Sequence, residues 1–429
     1  MKKVLIISPY FPPCNAPDMQ RVRMSLPYFE NYGWTAEIVT VNANFADLVK
    51  ENLLLNSIPR KIKIHTVSAW QKSWTGKFGL GSIALRSLYF YWKKVNQILE
   101  KECFDLIYFS TTQFPVLVLG NYWKKKYGVP YVIDMQDPWH SNYYQDKPKN
   151  QRPSKHWFSY RLNKFLEPIA MKRVGGLISV SQSYLDTLTV RYPRLTHLPK
   201  KVITFGFFKP DFDLVKENYD SFDLPYLKEN GIFNFVYIGR GGADMKDSLK
   251  LLFTAFKKGL AKQPEIFDKI RFHFIGTSYA PNGQGIPSIM PIALEMGVLE
   301  YVHEQTDRIS FYQGIYSLLE ADHLLIIGSN DPQYTASKIF PYILAERPLL
   351  AFFNVKSSAY QIIADNNAGI VIPLGLEMKD LTEQVYQYIL RVAGGQRKKN
   401  EVNWDNINLY SAENMCKSQC ELFNQVINN

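Results

Sequence analysis

Along this chain, apolar residues fall into short runs of four to six, separated by longer stretches in which they recur at helical spacing. The runs at 4–8, 36–41, 62–66, 105–109, 130–134, 176–180 and 202–205 are rich in β-branched and aromatic residues and have the length of buried strands. Between them, helical patterns cover 18–31, 83–101, 114–127, 156–173 and 181–191. Residues 206–231 have no clean period and hold six acidic residues, which reads as a linker. The alternation then resumes, with strands at 233–238, 271–275, 323–328, 349–353 and 369–372. Helical patterns there cover 247–260, 287–299, 311–319, 337–345, 359–365 and 381–392, and an amphipathic segment at 406–427 closes the chain. Such alternation predicts an α/β fold whose mostly parallel sheets carry helices on both faces.

Length divides that pattern. A chain of 429 residues exceeds what one hydrophobic core usually supports, so two domains are expected, 1–205 and 232–405, joined by 206–231. Hydrophobic content of 46% with 21% charged residues is that of a globular protein rather than a disordered one. No run of 18 apolar residues appears, and the opening MKKVLIISPYFPP reads as a first buried strand rather than a leader. Cys14, Cys103, Cys416 and Cys420 show no metal-ligand pattern, and free thiols in a reducing cytoplasm are the expected state. Charge is uneven. Residues 1–205 carry 29 Lys and Arg against 13 Asp and Glu, a net +16, whereas 206–429 carry 21 against 26, a net −5. That asymmetry suits a polyanionic or membrane-surface partner for the first half, with the aromatic and basic segments 89–94 and 122–126 as candidates. Solvated basic helix ends account for the same residues.

Candidate chemistry concentrates in 233–256. A buried strand stops at Gly239-Arg240-Gly241-Gly242 and a helix follows, with Asp244 or Asp247 available to cap it. A helix N-terminus behind a glycine turn is an anion site, and Arg240 and Lys246 add two cations suited to a diphosphate. Taken alone, a glycine turn with two solvated basic residues fits the same letters. Ser337 and Lys338 open another predicted helix and offer a hydroxyl and an ammonium to phosphate or sugar, or simply an N-cap and a surface lysine. In the first half three loops follow strands, where ligands sit in such sheets: 8–17, 110–113 and 134–140. The last holds Asp134, Asp137, Trp139 and His140; Asp134 suits a structural bond to the backbone, and the histidine a structural role.

Two tandem α/β domains with an arginine-plus-lysine phosphate loop opening the second resemble the GT-B glycosyltransferases of the retaining family-4 type, over nearly the whole chain. Tyr237-Ile238-Gly239-Arg240 with Lys246 resembles that family's Gly-Arg…Lys signature. Residues 9–13 with Arg21 resemble its acceptor loop, and Asp134…Asp137-Pro138-Trp139 resembles a segment of some bacterial members. Residues 337–345 with 347–351 resemble its donor-binding helix and strand. Two departures stand out: Asn15-Ala16 replaces a double glycine, and Gln333 and Pro341 stand where two glutamates are common, the second of which binds ribose.

The resemblance implies two Rossmann-like domains facing a cleft, the first completed by 406–429. It implies a metal-independent, cofactor-free hexosyltransferase-like enzyme that moves a sugar from a nucleoside-diphosphate donor to a glycan or lipid-linked acceptor in polysaccharide biosynthesis. The expected setting is the cytoplasm at the inner face of the plasma membrane. Gly239, Arg240, Lys246, Gln333, Tyr334, Ser337 and Lys338 would hold the donor, and Asn15, Arg21 and Trp139 the acceptor. Arg240 and Lys246 would stabilise the leaving diphosphate. Asp137 would touch the acceptor hydroxyl or the reacting sugar, while the leaving phosphate takes the proton. A sugar-nucleotide epimerase of the same fold is the rival reading. A dinucleotide oxidoreductase lacks its glycine fingerprint here, and no nucleic-acid-binding module is present.

Overall fold

Two wholly parallel sheets organise the chain, built from the apolar runs read above except at one edge strand. The computed structural model describes residues 1–142, 145, 147–148, 152, 156–332, 338–375, 378–395 and 401–428. It divides into two units, Met1–Gly206 with Tyr410–Asn429, and Phe207–Leu409. The first unit holds β1 (Lys2–Ile7), β2 (Trp34–Val41), β3 (Lys63–Val67), β4 (Leu106–Ser110), β5 (Tyr131–Met135), β6 (Gly176–Ser179) and β7 (Lys200–Val202), in the order β3-β2-β1-β4-β5-β6-β7. β4 and β5 are buried at every position, as a strand covered by helices on both faces must be. Chain direction across the sheet reverses between β1 and β4, so their following loops diverge and leave a crevice at the carboxyl edge.

The last helix, Ala412–Asn428, belongs to this first unit. Phe423 packs on Phe29, Trp34 and Tyr108, and buried Gln419 donates to the Ser25 hydroxyl at 2.8 Å. Val426 lies so close to β6 that a Cβ on Gly176 would sit 2.6 Å from it, so a glycine is required there.

In the second unit, β8 (Phe233–Ile238), β9 (Ile270–Ile275), β10 (Val302–Gln305), β11 (His323–Ile327), β12 (Leu349–Asn354) and β13 (Ile370–Leu374) take the order β10-β9-β8-β11-β12-β13. β10 was absent from the sequence reading. It is an edge strand of mostly polar residues, paired only with β9, and carries no apolar run.

The 206–231 segment is not a linker but part of this unit. It contains a helix, Lys209–Glu217, that buries Phe212 and Val215 and accepts a 3.1 Å bond from the Tyr312 hydroxyl at Asp211. Further along, buried Tyr226 stacks on His273 with centroids 4.7 Å apart. The six carboxylates masked an amphipathic helix whose apolar side is only two or three residues wide. No helix among the described residues is long and apolar enough to cross a membrane.

Candidate functional site

The second sheet opens where its strand order reverses. β8 pairs with β11 only through Phe235 and Val236, and beyond them the strands part. Ile238 would be left there with an unpaired N–H and C=O. The Tyr342 hydroxyl replaces the missing strand: it accepts from the Ile238 N–H at 2.8 Å and donates to its carbonyl at 2.9 Å. Tyr342 lies on the helix Ile339–Leu344, so this one phenol holds that helix, and Lys338 at its start, beside the glycine loop. Pro341 falls in the helix's first turn, where its missing N–H leaves no bond unmade.

On the other side of β8 the loop keeps to β9. The Gly239 N–H bonds the Ile275 carbonyl at 3.0 Å, and the Gly241 N–H bonds the Thr277 carbonyl at 2.8 Å. Gly241 lies close against the Ser288 hydroxyl, which a Cβ there would approach to 2.1 Å and force to rotate. Glu304 fixes the facing loop by accepting the N–H groups of Ser288, Ile289 and Met290 at 2.9, 3.0 and 2.9 Å, and the Thr277 hydroxyl at 2.7 Å. The helix Lys246–Lys262 continues from a 3-10 turn, Ala243–Met245, whose Ala243 carbonyl accepts the Lys246 N–H, and neither carries a side-chain cap among the described residues.

Arg240 is gripped by Asp244 in a two-bond pair, at 3.0 and 2.6 Å. The guanidinium holds the Asp244 carboxyl below its ordinary value. Lys246 is engaged elsewhere, 3.9 Å from Glu295, a carboxylate that Lys250 holds at 2.5 Å. Arg240 and Lys246 thus each lie beside a carboxylate of the protein itself. Two cations, Arg240 and Arg308, act on Lys338. Loss of surrounding water pushes the Lys338 ammonium down, Arg240 and Arg308 push it further, and Asp244 opposes them. Arg308 sits in the loop after β10 with its guanidinium 4.9 Å over the Tyr279 ring. It escaped the sequence reading because β10 did; a lone arginine after an unrecognised edge strand has no motif to mark it. Gln333, Tyr334 and Ser337 lie outside the described residues.

In the first unit the carboxyl edge is knitted by buried charge. Arg21 is fully buried: its Nε bonds Asp134 at 2.7 Å, and its two terminal nitrogens donate to the carbonyls of Ile203 at 2.7 Å and Thr204 at 3.4 Å. Its guanidinium also lies 4.7 Å over the Phe205 ring. Every nitrogen is occupied by protein, so Arg21 ties β5 to the chain beyond β7 and does not face an acceptor. Asp134 is structural, as expected, but its partners are side chains: Ser110 at 2.8 Å, Gln136 at 3.0 Å and Tyr108 at 3.3 Å, besides Arg21. Trp139 is likewise buried, with its indole N–H on Asn163 at 3.1 Å and its ring stacked on Phe114 at 5.5 Å. A buried indole cannot stack on a sugar.

Asp137, two residues earlier, is exposed, and partial desolvation with the nearby Asp18 carboxylate raises its pKa. The loop that carries it is clamped from behind by buried Glu167, which accepts the His140 N–H at 3.0 Å and is paired with Arg191. Asp18 is the residue that reading by sequence passed over. It is nearly fully buried and accepts Thr111 Oγ1 at 2.7 Å and the Thr112 N–H at 3.0 Å; burial raises its pKa against these bonds. Asn15 is half-buried and donates to Glu51 at 2.6 Å.

No family model matches the sequence, and no curated protein matches it. Solved structures do. HepE of Anabaena, solved with UDP-glucose, aligns over 98% of this chain and 98% of its own, at 15% identity and a TM-score of 0.54. WaaG, a glycosyltransferase involved in lipopolysaccharide biosynthesis, aligns over 98% and 99%, at 12% identity and 0.55. A UDP-forming α,α-trehalose-phosphate synthase from Burkholderia xenovorans aligns over 98% and 100%, at 10% identity and 0.57. The likeness is one of fold and runs the length of the chain. This protein has the two-domain α/β architecture of the GT-B glycosyltransferases.

Proposed function

We propose that this protein transfers a sugar, with retention of configuration, from a nucleoside-diphosphate donor to a glycan or lipid-linked acceptor at the inner face of a membrane. The observation that carries the proposal is the positive charge gathered at the open crevice of the second sheet. Arg240 and Arg308 act there on Lys338, with Asp244 paired to Arg240, beside the start of the helix Lys246–Lys262. A diphosphate supplies the negative charge this arrangement lacks. On binding, it displaces Asp244 from Arg240 and takes over the two-pronged contact, which matches phosphate as well as carboxylate. As the glycosidic bond breaks, charge grows on the leaving phosphate. Cations already in place stabilise it without reorganising, which is the largest catalytic effect such a site has.

Lys246, Gln333, Tyr334 and Ser337 complete the proposed donor side. Lys246 reaches it by leaving Glu295, a solvent-exposed and therefore weak partner. On the acceptor side, Asn15 and Asp137 are the groups with surface to offer. Asp137 accepts a hydrogen bond from the acceptor hydroxyl or steadies the reacting sugar, and the leaving phosphate takes the proton. The reaction is expected to need neither metal nor cofactor, so activity should persist in excess chelator. HepE, solved with UDP-glucose, and the UDP-forming trehalose-phosphate synthase support a nucleotide-sugar donor.

Thermal melting in the presence of UDP, GDP, ADP and CMP is the direct test. A ligand at one hundred times its Kd that binds only the folded state adds about 2.7 kcal/mol, so the nucleotide that raises the melting temperature names the donor class. No response to any of them would sink the proposal. An epimerase of the same fold would bind the same nucleotide, and product analysis separates the two: labelled sugar appears on an acceptor, or it stays on the nucleotide in isomerised form.

A further inference from the structure

Residues 52–99 carry eight lysines and arginines and not one carboxylate. The structure folds part of this stretch into a surface with exposed aromatic rings among the cations. Trp74, 63% exposed, lies on the short helix Lys72–Thr75 that follows β3, and Leu80 is exposed just beyond it. Trp70 stacks on Tyr89 of the helix Ile83–Leu99 at 6.2 Å, and Tyr89 on Trp92 at 5.9 Å; all three are exposed. Gly79 abuts the Phe158 ring, which brings the start of the helix His156–Met171, with Trp157 65% exposed and Arg161 beside it, to the same place.

This surface belongs to the carboxyl edge of the first sheet. The segment follows β3, the Trp157 helix follows the loop after β5, and Asp137 lies in that same loop. It is also tied to the 8–17 loop region by charge. Buried Arg86 donates to the carbonyls of Trp70 at 2.9 Å and Phe45 at 2.8 Å and acts on the Tyr10 phenol, while Lys72 bonds Asp47 at 2.7 Å.

We infer that this face docks on an anionic lipid bilayer, with Trp74 and Leu80 entering the headgroup layer and Lys77 and Lys93 facing lipid phosphates. Indole rings and lysines side by side with an aliphatic tip match the chemistry of that interface, and the Asp47 carboxylate at its margin is paired with Lys72. A single-stranded nucleic acid is matched less well. Trp70, Tyr89 and Trp92 turn ring faces toward one another, and Leu80 offers nothing for a base to stack on. Docked this way, the edge carrying Asp137 and Asn15 meets the membrane surface, so the inference rests on the proposed function only in making the acceptor membrane-borne.

The test uses the full chain with vesicles of phosphatidylcholine, with and without phosphatidylglycerol, in flotation. The expected result is binding to the anionic vesicles alone, falling steeply from low salt to physiological salt, where screening shortens to about 8 Å. Trp74→Ala with Leu80→Ala should lower the bound fraction about tenfold, and Lys77→Glu with Lys93→Glu by a similar factor, each with an unchanged melting temperature. Absence of wild-type binding at low salt overturns the inference. So does binding that both double variants retain in full, or tighter retention on single-stranded RNA than on the vesicles. Flotation needs no donor, so its failure leaves the transfer reading standing, and a missing nucleotide response leaves the docking surface standing.

Discussion

Arg240 and Arg21 carry the same charge and both resemble ligand contacts in sequence, yet their surroundings differ. Arg240 is partly exposed and its partner Asp244 lies four residues away, so the pair is easily exchanged for a phosphate. Arg240→Ala should weaken nucleoside-diphosphate binding and lower turnover on the order of 10²-fold or more. Asp244→Asn, which removes the competitor, should tighten binding several-fold. Titration calorimetry with the responding nucleotide reads both, and unchanged affinity in Arg240→Ala would remove the donor site from this loop. Arg21 and Asp134 are both fully buried. Removing one partner strands a charge, which costs about 3–5 kcal/mol. Arg21→Ala is therefore expected to melt well below the wild type while its nucleotide response survives. A variant that melts normally but loses acceptor affinity would restore Arg21 to the acceptor site.

At the scale of elements, the crevice depends on what fills the gap between diverging strands. Tyr342 takes the hydrogen bonds that β11 no longer makes, and the helix Ala412–Asn428 closes the other sheet from the far end of the chain. That helix buries Met415, Cys416, Cys420, Leu422 and Phe423. Cutting the chain after Leu409 exposes their partners Phe29, Trp34 and Tyr108, three of the larger residues of the first unit. Differential scanning calorimetry of such a truncation should lose the first unit's transition and keep that of Phe207–Leu409. Two intact transitions would mean that the helix adds little. Elements of strong period were legible beforehand, β8 and its helix above all. β10 and the Lys209–Glu217 helix were not, because an edge strand paired on one side and a helix with a narrow apolar side leave weak patterns.

His273 contributes a pH dependence to the stability of the second unit. It lies on β9 with its ring against Tyr226, and its Nε2 is 2.8 Å from Asn234 Oδ1. Burial, with help from His303 and Arg271, pulls its pKa from 6.5 to about 3. The folded state thus holds the neutral ring, and the unfolded chain binds the proton first. Stability from this residue is whole above pH 6.5 and is lost as pH falls toward about 3, at roughly 1.4 kcal/mol per pH unit. Denaturant titrations at several pH values should show a shallower acid decline in His273→Gln than in the wild type. Equal slopes would mean that this ring is not held neutral.

Local order determined much of this protein in advance. The alternation of apolar runs and helical stretches established two parallel α/β domains, and the strand–glycine–helix stretch at 233–256 marked Arg240 without any knowledge of its neighbours. These are short-range properties, written in spacing. Only the tertiary structure decided that Arg240 and Arg308 act on Lys338, that Arg21 and Trp139 are buried, and that Asp18 is buried behind Thr111 and Thr112. Each follows from which strands become neighbours and which loops then meet at their carboxyl ends. Residues far apart in the chain make those contacts, and no periodicity within a single segment records them.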